Sequence, residues 1–372
     1  MRHIIVRVVF VILSAAILNG AQCRKGGSDD AVIPSGPPAG WELGSGDHTP
    51  GSVTFTTVAA GADGLSTPRD LAFNPNVPGQ LWVVNYTNAS VLIIGNATSA
   101  SPTYLLRQDS NAGHFMPFPS ALAFGGNTTT FGLPGTFATS AESNNGGNYF
   151  MGPTLWSSDL SVFAVQNPFG LGSHIDMLHC SPYGMGIAWE ANNVFWVFGG
   201  YTNDIMRYDF QVDHGIGMDD HSDGVKYHYC TGLVLRQIGV PSHLSLDPAT
   251  KKLYICDTGN SRLAVLDTLS GTVGGNHAGP DPVITDKYVT GASLTTLVGS
   301  LNKPSGCEFH NGLIYISEYG TGVISAYTPA GVKVNWIDTG LGANKVMGMN
   351  FGPDGKLYFV DAGTSRVLRI TP

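Results

Sequence analysis

The sequence predicts an all-β fold, a six-bladed β-propeller whose ring is closed by an N-terminal strand that completes the last blade. Three observations lead to this prediction. Residues 239–267 have the pattern of three short strands joined by two tight turns. Copies of this unit recur along the chain, at the spacing of a four-stranded repeat. The chain also begins with an extra strand and ends one strand short.

The clearest copy of the repeat shows why each strand forms. Leu244–Leu246 alternates in polarity and ends at Asp247-Pro248, a pair that begins a turn. Leu253–Cys256 is rich in β-forming residues, and Asp257-Thr-Gly-Asn supplies turn residues. A third strand begins at Leu263. Because such a meander cannot bury both of its faces alone, it needs copies of itself on either side.

Five further copies align with this one, at intervals of roughly 40 to 65 residues. The equivalent positions of the first strands are Leu71, Leu122, Ile187, Leu244, Cys307 and Met349. The second strands are predicted at Leu81–Val84, Phe137–Ser140, Val194–Phe198, Leu253–Cys256, Leu313–Ser317 and Leu357–Val360. Four strands in each of six units give six blades.

Two segments carry a resemblance to a known family. Leu253-Tyr-Ile-Cys-Asp-Thr-Gly-Asn-Ser-Arg-Leu and Leu357-Tyr-Phe-Val-Asp-Ala-Gly-Thr-Ser-Arg-Val resemble repeats of the NHL family of TolB-like six-bladed propellers. The resemblance extends from about residue 52 to the end of the chain. It is closest in blades four and six and faintest in blades two and three, which carry insertions. It implies a fold and leaves the function open, because propellers host unrelated sites.

The N-terminal region predicts export. A short basic start and the apolar run Ile4–Leu18 are typical of a signal peptide, here residues 1–21, so a secreted protein is expected. A retained membrane anchor is one alternative, and lipid attachment at Cys23 is another if the source is bacterial. Residues 22–50 are rich in Gly, Pro and Ser and predict a linker to the propeller of residues 51–372. No later segment is apolar enough to span a bilayer.

Closure of the ring follows from the two ends of the propeller. Val53–Val58 predicts a strand ahead of the first blade, and the last blade stops at Pro372 after three strands. We therefore expect Val53–Val58 to be the fourth strand of the last blade, paired with the strand around Val367–Ile370, which leaves little exposed sheet edge.

Composition excludes some classes of function. The formal net charge is −8 and no run of Lys or Arg occurs, so nucleic-acid binding is not expected. Only 12% of residues are charged and 49 of 372 are Gly, which fits many short strands and turns better than a disordered chain. The sequence has no G-x-S-x-G, no H-E-x-x-H and no phosphate-binding Gly loop.

Cysteines and glycosylation motifs give expectations that depend on export. Four cysteines lie in the ring, and an even number in a secreted chain suggests disulfides, with Cys180 bonded to Cys230. Cys256 and Cys307 are either bonded or small buried thiols. In a eukaryotic source, N-x-S/T motifs predict glycans at Asn85, Asn88, Asn96 and Asn127.

Candidate site residues are those that the repeat alignment brings to the axis. Members of the family usually bind ligands in the channel and on the face formed by the loops that lead into the first strands. The candidates in these loops and strands are Arg69, Asp70, His114, His179, Tyr183, His243, Glu308 and Asn350.

Two metal-binding hypotheses follow, and one further stretch contains residues of the types that bind metals. His114, His179 and His243 would hold Zn²⁺, as histidines do in the peptide-amidating lyases, whose Val-Pro-His-Ser-Leu is similar to Val240-Pro-Ser-His-Leu with the histidine one position away. Glu308 and Asn350 would suit Ca²⁺, which gives a resemblance to lactonase-like propellers. The stretch 213–228 has ligands for Ca²⁺ or Zn²⁺ without EF-hand spacing, and we interpret it as a solvated loop.

The resulting interpretation is a secreted propeller that binds a small molecule or a protein as a scaffold. The alternative is a metal-dependent enzyme, similar to an amidating lyase or a lactonase, with its site in the central channel. The sequence does not identify the ligand, substrate or partner.

Overall fold

Six sheets follow one another along the chain in a computed structural model, which describes residues 38–127, 132, 135–147 and 149–372. The first strands of neighbouring sheets contact each other in chain order, and the first strand of the last sheet contacts that of the first. The fold is therefore a six-bladed β-propeller, as predicted. The predicted signal peptide, Cys23 and the first part of the predicted linker lie outside the described residues.

Blades one to three contain the following strands. Blade one has β2 (Pro68–Phe73), β3 (Leu81–Asn85), β4 (Ser90–Gly95) and β5 (Thr103–Arg107), and the short helix α1 (Ala112–Phe115) follows it. Blade two has β6 (Pro119–Phe124), β7 (Thr136–Ala141), β8 (Thr154–Ser157) and β9 (His174–Met177). Blade three has β10 (Gly184–Ala191), β11 (Val194–Gly199), β12 (Asp204–Asp209) and β13 (Val225–Tyr229).

Blades four to six complete the ring. Blade four has β14 (Leu244–Asp247), β15 (Lys252–Asp257), β16 (Arg262–Asp267) and β19 (Leu294–Val298). Blade five has β20 (Pro304–His310), β21 (Leu313–Glu318), β22 (Val323–Tyr327) and β23 (Lys333–Asp338). Blade six has β24 (Val346–Phe351), β25 (Leu357–Asp361), β26 (Arg366–Thr371) and β1 (Thr54–Ala59). The predicted second strands all agree with these bounds to within one residue.

The N-terminal strand β1 lies at the outer edge of blade six. It pairs antiparallel with β26, from Thr54 opposite Thr371 to Ala59 opposite Val367, with a register shift between Thr57 and Ala59. Blade six thus contains strands from both ends of the propeller.

The hydrophobic core is divided among the spaces between blades. Six clusters of buried residues occur in the described chain, and each joins two neighbouring blades. Between blades one and two, for example, the Trp82 ring lies 4.9 Å from Phe137 and 5.5 Å from Phe163. Every blade therefore buries both faces against its neighbours, which is why the repeat needs copies of itself.

The same turn occurs in blade four and in blade six, and an ion pair stabilises it in each. Asp257 accepts a 2.7 Å hydrogen bond from Arg262 Nε, and the same carboxylate accepts the Leu235 N–H. In blade six Arg366 Nη2 lies 2.8 Å from Asp361. Both aspartates are buried, so the arginine is needed to neutralise a charge that the turn removes from water.

The insertion in blade four extends blade three. Residues 268–292 contain the hairpin β17 (Thr272–Asn276) and β18 (Thr285–Thr290), and β18 pairs in parallel with β13. Blade three thus belongs to a six-stranded sheet, and the insertion lies away from the axis. The connection between β7 and β8 of blade two is also long, because β7 ends at Ala141 and β8 begins at Thr154.

Part of the predicted linker packs on the propeller. Two 3₁₀ turns, Trp41–Leu43 and Pro50–Ser52, precede β1, and two more lie at Gly61–Asp63 and Thr258–Asn260. The Tyr315 hydroxyl donates a 2.6 Å hydrogen bond to Glu42, and Asn335 donates to two backbone carbonyls of this segment. The described residues from 38 to 50 are therefore fixed against blade five. Among the described residues, no helix has the length and apolar character needed to cross a membrane.

Candidate functional site

A cavity of about 560 Å³ lies on the propeller axis. All six first strands contribute to its wall, at the positions Ala72, Ala123, Ala188, Ser245, Glu308 and Asn350. The wall is divided into two halves. Blades one to three present alanine, and blades four to six present a hydroxyl, a carboxyl and a carboxamide.

The mouth of the cavity is formed by loops that join first strands to second strands. Pro75 of blade one and Asn127 of blade two line it, together with the rings of Phe73, Phe124 and Trp189. The prediction placed the ligand site on the opposite face, where the loops lead into the first strands. The structure closes that side of the channel in two layers.

The first closing layer is made by convergence of the strands. An added Cβ at Gly186, Gly306 or Gly348 would lie 2.0 to 2.4 Å from a neighbouring oxygen, a distance that real Cβ atoms essentially never show. Only glycine permits this approach. At the same layer Asp70 and His243 come from the opposite blades one and four, and their Oδ1 and Nδ1 atoms are 3.6 Å apart.

Backbone groups hold both side chains of this layer. The N–H groups of Leu71 and Leu122 donate to the two oxygens of Asp70, at 2.9 and 3.0 Å. His243 Nε2 donates a hydrogen bond to the Ser120 carbonyl at 3.0 Å, and Nδ1 faces Asp70. Burial raises the pKa of Asp70, and the charge of His243 and the two N–H donors oppose that rise.

The second closing layer is formed by Arg69. Its guanidinium spans the axis from blade one and donates a 2.6 Å hydrogen bond to the carbonyl of Gly239, in the loop leading to blade four. It also lies 4.1 Å from the Tyr86 ring centroid. Glu142 accepts the Gly239 N–H at 2.6 Å. Arg69 therefore seals the channel and does not enter the cavity.

The polar half of the cavity is a short chain of hydrogen bonds. Asn350 Nδ2 donates to Glu308 at 3.1 Å, and Asn350 Oδ1 accepts the Phe73 N–H at 3.1 Å. Ser245 Oγ accepts the Phe309 N–H at 2.9 Å. Burial, aided by the nearby charge of Asp70, raises the pKa of Glu308 to about 8, although the bond from Asn350 opposes this. At neutral pH Glu308 is mostly a neutral acid facing the cavity.

The structure brings four of the eight predicted site residues to the cavity, namely Asp70, His243, Glu308 and Asn350. His114 is exposed on α1, where its ring contacts Phe115. Tyr183 lies outside the cavity and stacks on Arg236, whose guanidinium is 3.7 Å from the ring centroid.

The predicted zinc set of His114, His179 and His243 is wrong, because His243 lies at the axis beside Asp70, whereas His114 and His179 both contact the Phe150 ring. His179 contacts the carboxylate of Asp281, on the blade-four insertion, and its ring lies 5.6 Å from His221. Their loops are long enough to carry His114 and His179 away from the axis.

Sequence reasoning missed a buried charged cluster at the outer side of blade three, here called the Lys226 network. Lys226 is fully buried, and its Nζ lies 2.8 Å from Asp281 and 3.5 Å from Asp286. Its members are Cys180, Lys226, His228, His277, Asp281 and Asp286. The sequence signal was the dense run of Asp and His in 213–228, but the partners of this run come from the distant insertion.

Hydrogen bonds to carboxylates favour the charged forms of the histidines in the Lys226 network. Burial opposes the charge of His228, but hydrogen bonds to Asp204 and Asp286 outweigh it and raise the pKa of His228 to about 9. The hydrogen bond to Asp286 also raises the pKa of His277 to about 9. The network is thus a set of ion pairs between side chains.

A second group beside the network is formed by Asp176, His214 and His221, here called the Asp176 site. Asp176 lies on β9, and both histidines lie in the loop between β12 and β13. The prediction of a solvated loop for this stretch was therefore incomplete: Met218, Asp219 and Asp220 are exposed, but Asp213 is buried and His214 is half-buried.

The cysteines of the described chain are all free thiols. The predicted Cys180–Cys230 disulfide is wrong, because Cys180 packs between blades two and three and Cys230 packs between blades three and four. Cys256 and Cys307 pack in one cluster between blades four and five, and Cys256 Sγ lies 3.3 Å from the Gly306 carbonyl.

One predicted glycosylation position is also corrected. The Asn85 side chain is buried and donates to the Gly64 carbonyl and to Ser90 Oγ, so it cannot carry a glycan. It occupies the place that Asp257 and Asp361 hold in their turns. Asn88, Asn96 and Asn127 remain predictions.

Comparisons with known proteins agree on the fold. No protein-family model matches this chain, and no curated protein matches it significantly. A protein of unknown function from Bacteroides thetaiotaomicron is similar over 86% of this chain and 76% of its own, with 11% sequence identity and a TM-score of 0.52. An auxiliary nutrient binding protein from Bacteroides ovatus is similar over 82% and 69%, with 14% identity and a TM-score of 0.50.

A third similar structure is that of regucalcin, a calcium-binding protein from Agrobacterium tumefaciens. The similarity covers 86% of this chain and 93% of regucalcin, with 13% sequence identity and a TM-score of 0.50. At these identities the likeness shows a shared propeller fold and nothing about a shared site.

Proposed function

We propose that the protein is an exported NHL-type propeller that binds a small organic ligand in the axial cavity, with Glu308 as the anchor. The observation that carries the proposal is the divided wall, with Ala72, Ala123 and Ala188 on one side and Ser245, Glu308 and Asn350 on the other. A volume of about 560 Å³ lies within the range of small-molecule sites. The ligand would place an apolar flank on the alanines and a polar group on Glu308.

The charge of the anchor supports an amine as the polar group. Glu308 has no basic partner among the described residues, and its pKa is raised to about 8. An ammonium group would supply the missing positive charge and would ionise Glu308. Binding of an amine would therefore release a proton, and the affinity should rise as the pH approaches 8.

The channel supports metal-dependent catalysis less well. Both oxygens of Asp70 accept backbone N–H groups, and the amide oxygen of Asn350 accepts the Phe73 N–H. Of the two carboxyl groups that line the described cavity, Asp70 and Glu308, this leaves Glu308 available to bind a metal. A hard cation such as Ca²⁺ takes six to eight oxygen ligands, and this set does not provide them. The fold does not favour either ligand binding or metal dependence, since proteins described as nutrient-binding and as calcium-binding share it.

The test is a thermal-shift and calorimetric comparison of alkyl and aromatic primary amines with alcohols of the same skeleton. We expect amines to stabilise the protein more than alcohols, and Glu308→Gln to remove the difference. Ala123→Trp fills the apolar half without touching the polar groups and should abolish binding of both classes. Equal responses to amines and alcohols, no response to either, or a response that survives Ala123→Trp would contradict the proposal.

A further inference from the structure

The Asp176 site has the composition and placement of a metal centre. One ligand atom from each of Asp176, His214 and His221 lies within 4.8 Å of the other two. His221 Nδ1 is 3.3 Å from Asp176 Oδ1, and the His214 and His221 ring centroids are 5.5 Å apart. The carboxylate side chain is only 1% exposed.

Two acceptor atoms in this group have no hydrogen-bond partner among the described residues. His214 Nδ1 lies 2.7 Å from the Gly215 carbonyl, so it carries the proton and leaves a lone pair on Nε2. That Nε2 atom is buried and unpartnered, and so is Asp176 Oδ2. Unpaired buried acceptors cost free energy. A cation bound by both residues would satisfy them.

Backbone hydrogen bonds already hold the ligands in place. His214 N–H donates to the Ile175 carbonyl at 3.0 Å, and Gly217 N–H donates to the His174 carbonyl at 2.7 Å. The loop of blade three is thus fixed along β9 of blade two before any cation binds. The bond from His214 Nδ1 to a carbonyl is also the arrangement that orients histidine ligands in metal sites.

The neighbouring group of Cys180, His277 and Asp286 also has ligand types in reach of one another, but its charge is already balanced. Lys226 Nζ lies 3.1 Å from Cys180 Sγ and 3.5 Å from Asp286. A second cation there would be repelled. Asp176 has no Lys or Arg partner among the described residues; its ion-pair partner is His221.

We propose that Asp176, His214 and His221 form a binding site for a transition-metal cation, with Zn²⁺ as the best match. Two imidazole nitrogens and one carboxylate oxygen are a common zinc set, and Ca²⁺ or Mg²⁺ would prefer oxygen ligands alone. Tetrahedral coordination needs ligand atoms about 3.4 Å apart, so the side chains must close in by at most about 1.4 Å. The cation would join blade three to blade two, independently of any ligand in the axial cavity.

The test uses the full chain, stripped with a chelator and checked for native circular dichroism, and then titrated with Zn²⁺ and with Co²⁺. We expect one equivalent of Zn²⁺ to bind and to raise the melting temperature. Co²⁺ should give the visible absorption of a tetrahedral site. Asp176→Asn and His221→Gln should each weaken Zn²⁺ binding by at least about tenfold.

His277→Gln is the matched control, because it alters the neighbouring group and leaves the three ligands unchanged. It should bind Zn²⁺ like the unmodified protein. The proposal is overturned if the folded, stripped chain binds no Zn²⁺. It is also overturned if binding is lost in His277→Gln but retained in Asp176→Asn, since the metal would then belong to the Lys226 network.

Discussion

The axial layer and the Lys226 network both bury carboxylates, and they satisfy them in different ways. At the axis, Asp70 accepts two backbone N–H groups and faces His243 at 3.6 Å. In the network, Asp286 accepts from His228 and His277 and lies near Lys226. Six strands converge at the axis, so backbone donors are close by. At the outer side of a blade the side chains must neutralise one another.

The pKa shifts of the carboxyl groups in the two regions also run in opposite directions. Burial raises the pKa of Glu308 to about 8, because its one hydrogen-bond donor, Asn350, is neutral. Burial would also raise the pKa of Asp286, but hydrogen bonds from His228 and His277 outweigh it and hold that pKa far below its usual value. The carboxyl group at the axis is therefore held in its neutral form, and the carboxylates of the network are already paired with charged groups.

The largest expected effect is in the network. Lys226→Met keeps the length of the side chain but leaves Asp281 and Asp286 without their ammonium partner, so we expect a loss of about 3–5 kcal/mol in the free energy of unfolding. Chemical denaturation measures this. Lys252→Met is the control, because the Lys252–Asp267 side chains are 39% and 32% exposed and the pair should contribute less than about 1 kcal/mol. Equal losses in the two variants would mean that the network does not depend on its charges.

At the axis, Asp70→Ala removes the acceptor of two N–H groups. We expect a loss of about 2–3 kcal/mol, because Leu71 and Leu122 would have buried donors without partners. Asp70→Asn keeps one acceptor oxygen and should lose less. If Asp70→Asn is as unstable as Asp70→Ala, the charge facing His243 matters more than the hydrogen bonds, and the contrast with the network is weaker than described.

A histidine of the network gives a test with pH. The pKa of His228 is about 9 in the folded protein, above its ordinary value near 6.5. Its stabilising effect is therefore complete below about pH 6.5 and is lost as the pH rises through 9. His228→Gln should be less stable than the unmodified protein by about 2 kcal/mol at pH 6, and the deficit should shrink toward pH 9. A deficit that does not change with pH would indicate lost packing alone.

Glu308 gives a second test with pH, in a different pH window. Its folded-state pKa of about 8 lies above the ordinary value of 4.5, so the folded protein keeps a proton that the unfolded chain loses. The stability of the unmodified protein should fall as the pH rises from about 4.5 to 8. Glu308→Gln lacks this loss and should gain stability relative to the unmodified protein, by up to about 4 kcal/mol at pH 8. Stability curves that run parallel from pH 5 to 8 would show that Glu308 is ionised.

The fold was predictable because its signals are local. Alternating strands and turns such as Asp257-Thr-Gly-Asn depend on neighbours in the sequence, and aligning the repeats brought Glu308 and Asn350 to equivalent positions on the axis. The Lys226 network was not predictable, because it depends on the pairing of β18 with β13. Three strands of blade four separate these two strands in the sequence. The open face was also predicted wrongly, because the closing contact from Arg69 to Gly239 joins opposite blades.

Two wrong predictions have the same cause. The number of cysteines and the N-x-S/T motif are both features of the sequence alone. Neither indicates how deeply a side chain is buried in the fold. Cys180 and Cys230 pack in different inter-blade clusters, and Asn85 is a buried turn residue in the place of an aspartate. Comparing the six turns as one aligned set would have exposed the role of Asn85.

Pairing of β1 with β26 has a consequence for the order of assembly. A chain made from its N-terminus produces β1 before any blade and β26 after all the others. Until then β1 has an unpaired edge, which is a site for contact with other chains. Blade six can form only when both ends of the propeller are present, so each of its two inter-blade clusters must wait for it. The first strand of the described propeller to be synthesised is therefore among the last to be paired, and a stalled chain would have this edge exposed throughout.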